Sequence, residues 1–100
     1  MLLTGDFVDG REAFNMGLAS EVVPDDQVLE RALDIAKGIA ALPPISVRFT
    51  KEAVIAGADA ALDTGLLLER RSLEFLFDTD DQIEGMQAFI EKRKPQFKGE

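Results

Sequence analysis

The residues whose types and spacing suit chemistry lie towards the carboxyl end. Asp78, Asp80 and Asp81 crowd into one short stretch. Paired carboxylates are the equipment of acid–base catalysis or of a Mg²⁺ or Ca²⁺ site. The same positions open a helix, where acids complement the positive end of the dipole, and capping explains them without chemistry. Their spacing also departs from the calcium-loop pattern. Lys92, Arg93, Lys94 and Lys98 form a basic tail. It reads either as an anion site for phosphate groups, with lysine as the flexible point charge, or as a solvated helix end. Phe89 and Phe97 flank it with apolar surface. Glu69, Arg70 and Arg71 read as a solvated helix face, with a buried network as the alternative. Gly5, Gly10 and Gly17 do not follow the Gly-x-Gly-x-x-Gly pattern of a dinucleotide site. Gly85 falls inside a helical pattern at a cost of ~1 kcal/mol relative to alanine, which suggests close approach of a neighbouring helix or a ligand.

Composition narrows the choices. The 100 residues contain no histidine and no cysteine, which removes a Ser-His-Asp triad, a thiol nucleophile and His or Cys metal sites from this chain. A 46% hydrophobic share argues for a folded domain. A net charge of -8 opposes binding to nucleic acid as a whole. All seven aromatics are phenylalanine, which suits core filling. No apolar run approaches the ~20 residues of a membrane span, and MLLTGDFVDG lacks a signal-peptide pattern. A cytoplasmic location is therefore expected. Met1–Gly5 reads as the tail of an apolar element that begins elsewhere.

The elements that must carry these groups are mainly helical. Asp9 and Glu12 form a capping-box pair before a short helix over 10–16, with Gly17 as its left-handed stop. Leu18–Val23, with its β-branched pair, predicts a short strand that ends at Pro24. Asp25 or Asp26 then caps a helix to about Ala41, with Leu29, Ala32, Leu33, Ala36, Ile39 and Ala40 on one stripe. A helix over 44–56 follows Pro43, carries Val47, Ala53 and Val54 inward, and ends at Gly57. A third spans about 59–77, and its apolar positions exceed one side, as packing against a further protein surface requires. Thr79 and Gln82 make a second capping-box pair, for a helix that Pro95 prevents from passing Lys94. The expected class is mainly α: a short α/β lead-in over 1–24 and about four helices over 25–100.

The run Gly85-Met86-Gln87-Ala88-Phe89-Ile90-Glu91-Lys92-Arg93-Lys94-Pro95-Gln96-Phe97 resembles the carboxy-terminal signature of the enoyl-CoA hydratase/isomerase (crotonase) family. Leu3-Thr4-Gly5, Glu12-Ala13, Gly17-Leu18-Ala19, Val22-Val23-Pro24, Pro43-Pro44, Lys51 and Phe77–Asp81 fall in the family's order. The resemblance implies the carboxy-terminal helical domain of a longer acyl-CoA enzyme. Residues 1–24 would end the crotonase core, and 25–100 would form an oligomerisation and CoA-site domain. The implied parent is an enoyl-CoA hydratase of fatty-acid oxidation, assembled as a trimer or hexamer. Its substrate would be a CoA thioester, with no tightly bound cofactor. The oxyanion hole and the acidic catalytic pair would lie upstream, so the resemblance assigns no catalytic residue here and implies that the chain alone is inactive. Lys92 matches the family lysine that approaches the CoA phosphates or adenine region. Leu73 falls at or near an apolar position of the adenine pocket that is often aromatic in relatives. Two alternatives stand beside this reading: a non-catalytic helical self-association module, or the same fold running an isomerase, dehalogenase, decarboxylase or hydrolase reaction.

Overall fold

The computed structural model describes all residues, 1–100. Five α-helices follow one another: α1 Gly10–Asn15, α2 Val28–Ala40, α3 Pro44–Ala58, α4 Leu62–Leu76 and α5 Asp80–Glu91, with a 3₁₀ turn at Asp25–Gln27 before α2. The chain divides into two compact units, Met1–Ile35 and Ala36–Glu100.

In the first unit the capping box before α1 forms as the sequence predicts. The Asp9 carboxylate accepts the Glu12 N–H at 2.8 Å, and the Glu12 side chain accepts the Asp9 N–H at 3.2 Å. Met16 caps the helix, and Gly17 leaves it with φ 78°, a conformation that suits glycine. The strand expected over Leu18–Val23 does not form; no residue there pairs in a sheet. A β-branched pair favours extended backbone, but a strand needs a neighbour to take its hydrogen bonds. Glu21 instead accepts the Arg31 Nε–H through both carboxylate oxygens, at 2.9 and 3.0 Å, and the pair raises the Arg31 pKa, first through that hydrogen bond. Asp25 and Asp26 lie inside the 3₁₀ turn and do not cap α2 by a side-chain bond.

The second unit is built on the pairing of α3 with α4. Phe49, early in α3, meets Phe75, late in α4, edge to face at 5.3 Å between ring centres. Gly57, late in α3, faces Gly65, early in α4, so the two helices run antiparallel and touch where neither carries a side chain. Gly57 is thus a crossing point inside a helix that continues to Ala58, not the terminator that its sequence position suggests. Correspondingly, α4 starts at Leu62 and not near Asp59.

The chain covers little of its own apolar surface. Ala88 is the one buried apolar residue. The α2 stripe forms at helical spacing, yet Leu29, Leu33 and Ile39 are all exposed. Val54, expected to face inward, is also exposed. Leu62 and Phe77, at the ends of the α4 stripe, keep 76% and 63% of their surface, well above what an interior position retains.

Candidate functional site: a tail held across the last helix

The best-satisfied part of the molecule lies at α5 and the tail behind it. Thr79 caps α5: its hydroxyl accepts the Gln82 N–H at 3.3 Å and donates to Leu76 C=O at 2.7 Å. Asp81, the second residue of α5, is buried at 4% exposure. Its two carboxylate oxygens accept the Lys98 and Gly99 N–H groups at 2.7 and 2.9 Å. Its own N–H donates to Glu100 C=O at 3.3 Å. A buried carboxylate without such donors is expensive, so these bonds account for its position. Asp81 therefore anchors the returning chain, a role that the capping reading of the acidic cluster missed. The sequence signal was faint: an acid at the second helical position serves the dipole whether or not a tail returns to it.

One turn further along, Glu84 makes the second tie. It accepts two hydrogen bonds from the Arg93 guanidinium, at 2.6 and 2.8 Å, and the Gln96 N–H at 2.7 Å. Arg93 Nε also donates to Glu91 at 2.6 Å. The Arg93 fork, aided by the Gln96 N–H, holds the Glu84 carboxyl at about 2, far below its ordinary value near 4.5. Arg93 is pushed up in turn by Glu84 and then Glu91.

Between the two ties the Phe97 ring lies over Gly85. A Cβ at Gly85 would sit 3.6 Å from Phe97, an ordinary contact distance. The close approach expected at Gly85 is thus made by the chain's own tail, and it would tolerate alanine. Gly99 rests against Pro44 at the start of α3. Of the two phenylalanines that flank the basic tail, Phe97 packs on the last helix. Phe89 does not: it is 85% exposed.

Two apolar grooves flank this region. One, about 480 Å³, runs along α3 and α4 past Phe49, Ala53, Leu62, Leu66 and Leu73. The other, about 400 Å³, is walled by Leu73 and Leu76 of α4, Phe77 just after it, Met86 and Phe89 of α5, and Phe97 of the tail. Leu73 lines both grooves and is half exposed. Lys92 lines neither, so the two residues singled out for ligand contact do not meet in one pocket of this chain.

Lys92 ends α5. The expected run of helix to Lys94 is cut short at Glu91, so no base lies in the last helical turn. Lys92 has φ 54° and ψ 37°, the left-handed conformation, and is the one non-glycine residue with positive φ. Its N–H reaches Phe89 C=O, and the Arg93 N–H reaches Ala88 C=O at 3.0 Å. Glycine usually takes this terminating position, and a side-chain residue there costs about 1 kcal/mol. Of the four basic residues in the tail, Arg93 is bound to acids through its side chain, while Lys92 and Lys94 make no ion pair.

Fold and site together define a helical domain whose acids hold its own tail and whose apolar walls and lysines face outward. The chain belongs to the enoyl-CoA hydratase/isomerase family, whose model matches residues 1–100. It is 46% identical over 97 residues to a probable enoyl-CoA hydratase of Mycobacterium bovis, covering 97% of this chain and 38% of that protein. It is 40% identical over 99 residues to an (E)-benzylidenesuccinyl-CoA hydratase of Thauera aromatica, covering 99% of this chain and 39% of the relative. A crystal structure of enoyl-CoA hydratase from Bacillus anthracis superposes with a TM-score of 0.88 at 45% identity, over 91% of this chain and 35% of that one. The chain thus spans under two fifths of the length of these relatives. The mainly helical class expected from sequence is the class observed.

Proposed function

We infer that this chain is the carboxy-terminal segment of an enoyl-CoA hydratase, an enzyme that adds water across a 2-enoyl thioester. The match of all 100 residues to the family, with hydratases among the similar proteins, carries this reading. Residues 1–24 would close the catalytic core, and 25–100 would give the oligomer contacts of a trimer or hexamer and one wall of the CoA site. Lys92 would offer its ammonium to the CoA phosphates, a point charge on a flexible stem. Leu73 would give the adenine apolar contact without stacking. Water activation and oxyanion stabilisation belong to groups outside these residues, and each oxyanion donor is worth ~3–4 kcal/mol of barrier. The enzyme would need no tightly bound cofactor and would work in the cytoplasm.

The test uses crotonoyl-CoA. The 100-residue chain alone should give no hydration; measurable turnover would overturn the claim that the reacting groups lie elsewhere. In the full-length protein, Lys92→Glu should weaken CoA binding. Unchanged affinity would favour the second reading, a helical self-association module. That reading draws support from the exposed apolar faces of α2 and α4. It predicts a concentration-dependent oligomer in sedimentation, and a strict monomer at high concentration would refute it. The name of the Thauera relative shows that the acyl group varies among similar proteins, and the residues that select it are expected upstream.

A further inference from the structure

We propose that Glu84, acting through the Arg93 guanidinium, is a positioning residue that locks Lys92 in its left-handed conformation and presents the Lys92 ammonium as an unpaired cation. The proposal rests on the reading that Lys92 meets CoA phosphates, and it adds the device that holds Lys92 there.

Three observations carry it. Lys92 occupies a conformation that glycine would take more easily, and such strain persists where the surroundings fix it. The next residue supplies that fixing. The Arg93 N–H is bonded back to Ala88, while its side chain spans Glu84 and Glu91 through three short bonds. Glu84 also takes the Gln96 N–H, so the chain is pinned on both sides of Lys94-Pro95. Finally, the clamp sorts the charges. Arg93 is neutralised against two acids, and Lys92 next to it is left without an acid partner. A glycine would end the helix at less cost but would supply no cation. The lysine is explained if its side chain is needed in the direction that the left-handed turn gives it.

The test separates position from charge. Arg93→Lys keeps every charge and removes the two-pronged fork. In the full-length enzyme, with CoA as the probe in calorimetry, Arg93→Lys should weaken binding roughly tenfold, the low end of the scale of one lost charge-assisted contact. KM for crotonoyl-CoA should rise by a similar factor with kcat unchanged. In a Lys92→Ala background the same substitution should have no further effect. Glu84→Gln is the second variant. It should also weaken binding, although it adds net positive charge to the region. Unchanged CoA affinity in Arg93→Lys, or tighter binding in Glu84→Gln, would overturn the proposal and leave Glu84 as a simple tuner of charge. Equal weakening by Arg93→Lys with and without Lys92 would overturn it too. If Lys92→Ala itself leaves affinity unchanged, the underlying reading of Lys92 fails, which is a different result from the failure of the clamp.

Discussion

Asp81→Asn isolates the tie between the tail and α5. The wild-type carboxylate receives two backbone N–H groups, from Lys98 and Gly99, and is itself nearly inaccessible to water. Hydrogen bonds to a charged acceptor contribute about 1.5–3 kcal/mol each. Asparagine keeps one acceptor for one of these N–H groups and turns an amide donor towards the other. One charge-assisted bond is lost and the other weakened, a cost of about 2 kcal/mol that falls on tail closure because the tail can peel away alone. At 1.4 kcal/mol per tenfold, opening should become about thirtyfold more frequent. Amide hydrogen exchange reads this directly: the Lys98 and Gly99 amides should lose protection by that factor while those in the middle of α5 hold theirs. The reasoning is refuted if the two tail amides keep wild-type protection. It is also refuted if protection falls equally along α5, because Asp81 would then be supporting the helix and not the tail.

Three further outcomes follow from the same region. Gly85→Ala should stabilise the domain by up to about 1 kcal/mol through helix propensity, since its Cβ meets Phe97 at ordinary contact; a lower Tm would show that the ring needs the bare backbone. Lys92→Gly should raise stability by about 1 kcal/mol by relieving the left-handed lysine, whatever it does to ligand binding; an unchanged Tm would mean the strain is absent. The Glu84 carboxyl sits near 2 in the folded chain and near 4.5 when free, so its contribution is complete above about pH 4.5 and is lost as pH falls through 2. Carboxyl NMR should therefore find Glu84 still ionised at pH 3, and a midpoint above 4 would remove the Arg93 clamp from consideration.

Much of the fold was legible because local rules govern it. The capping residues Asp9 and Thr79 announce helix starts by side-chain chemistry that acts within three residues. The ends were less legible. Gly57 looks like a stop and is a helix crossing, because only the arrival of Gly65 from α4 shows what the missing side chain is for. The Leu18–Val23 segment has strand composition, but pairing is a property of two segments, and no partner strand is present. At the site, the family resemblance marked Lys92 and Leu73, whereas Asp81 stood out only as a cap or part of an acidic cluster and Glu84 did not stand out at all. Both acids sit at ordinary helix positions, and their partners lie 9 to 18 residues later, beyond the reach of helical periodicity.

By itself, then, the sequence determined the helical class, the acidic balance, the absence of histidine and cysteine chemistry, and the ordered segments that resemble the family. Each follows from composition or from interactions between near neighbours. The tertiary structure decided which charges are spent and which are left over. Arg93 and Lys92 are adjacent cations in the sequence, and only the return of the chain past Glu84 makes one a clamp and the other an unpaired ammonium. That division depends on distances between residues remote in sequence, which spacing along the chain does not encode.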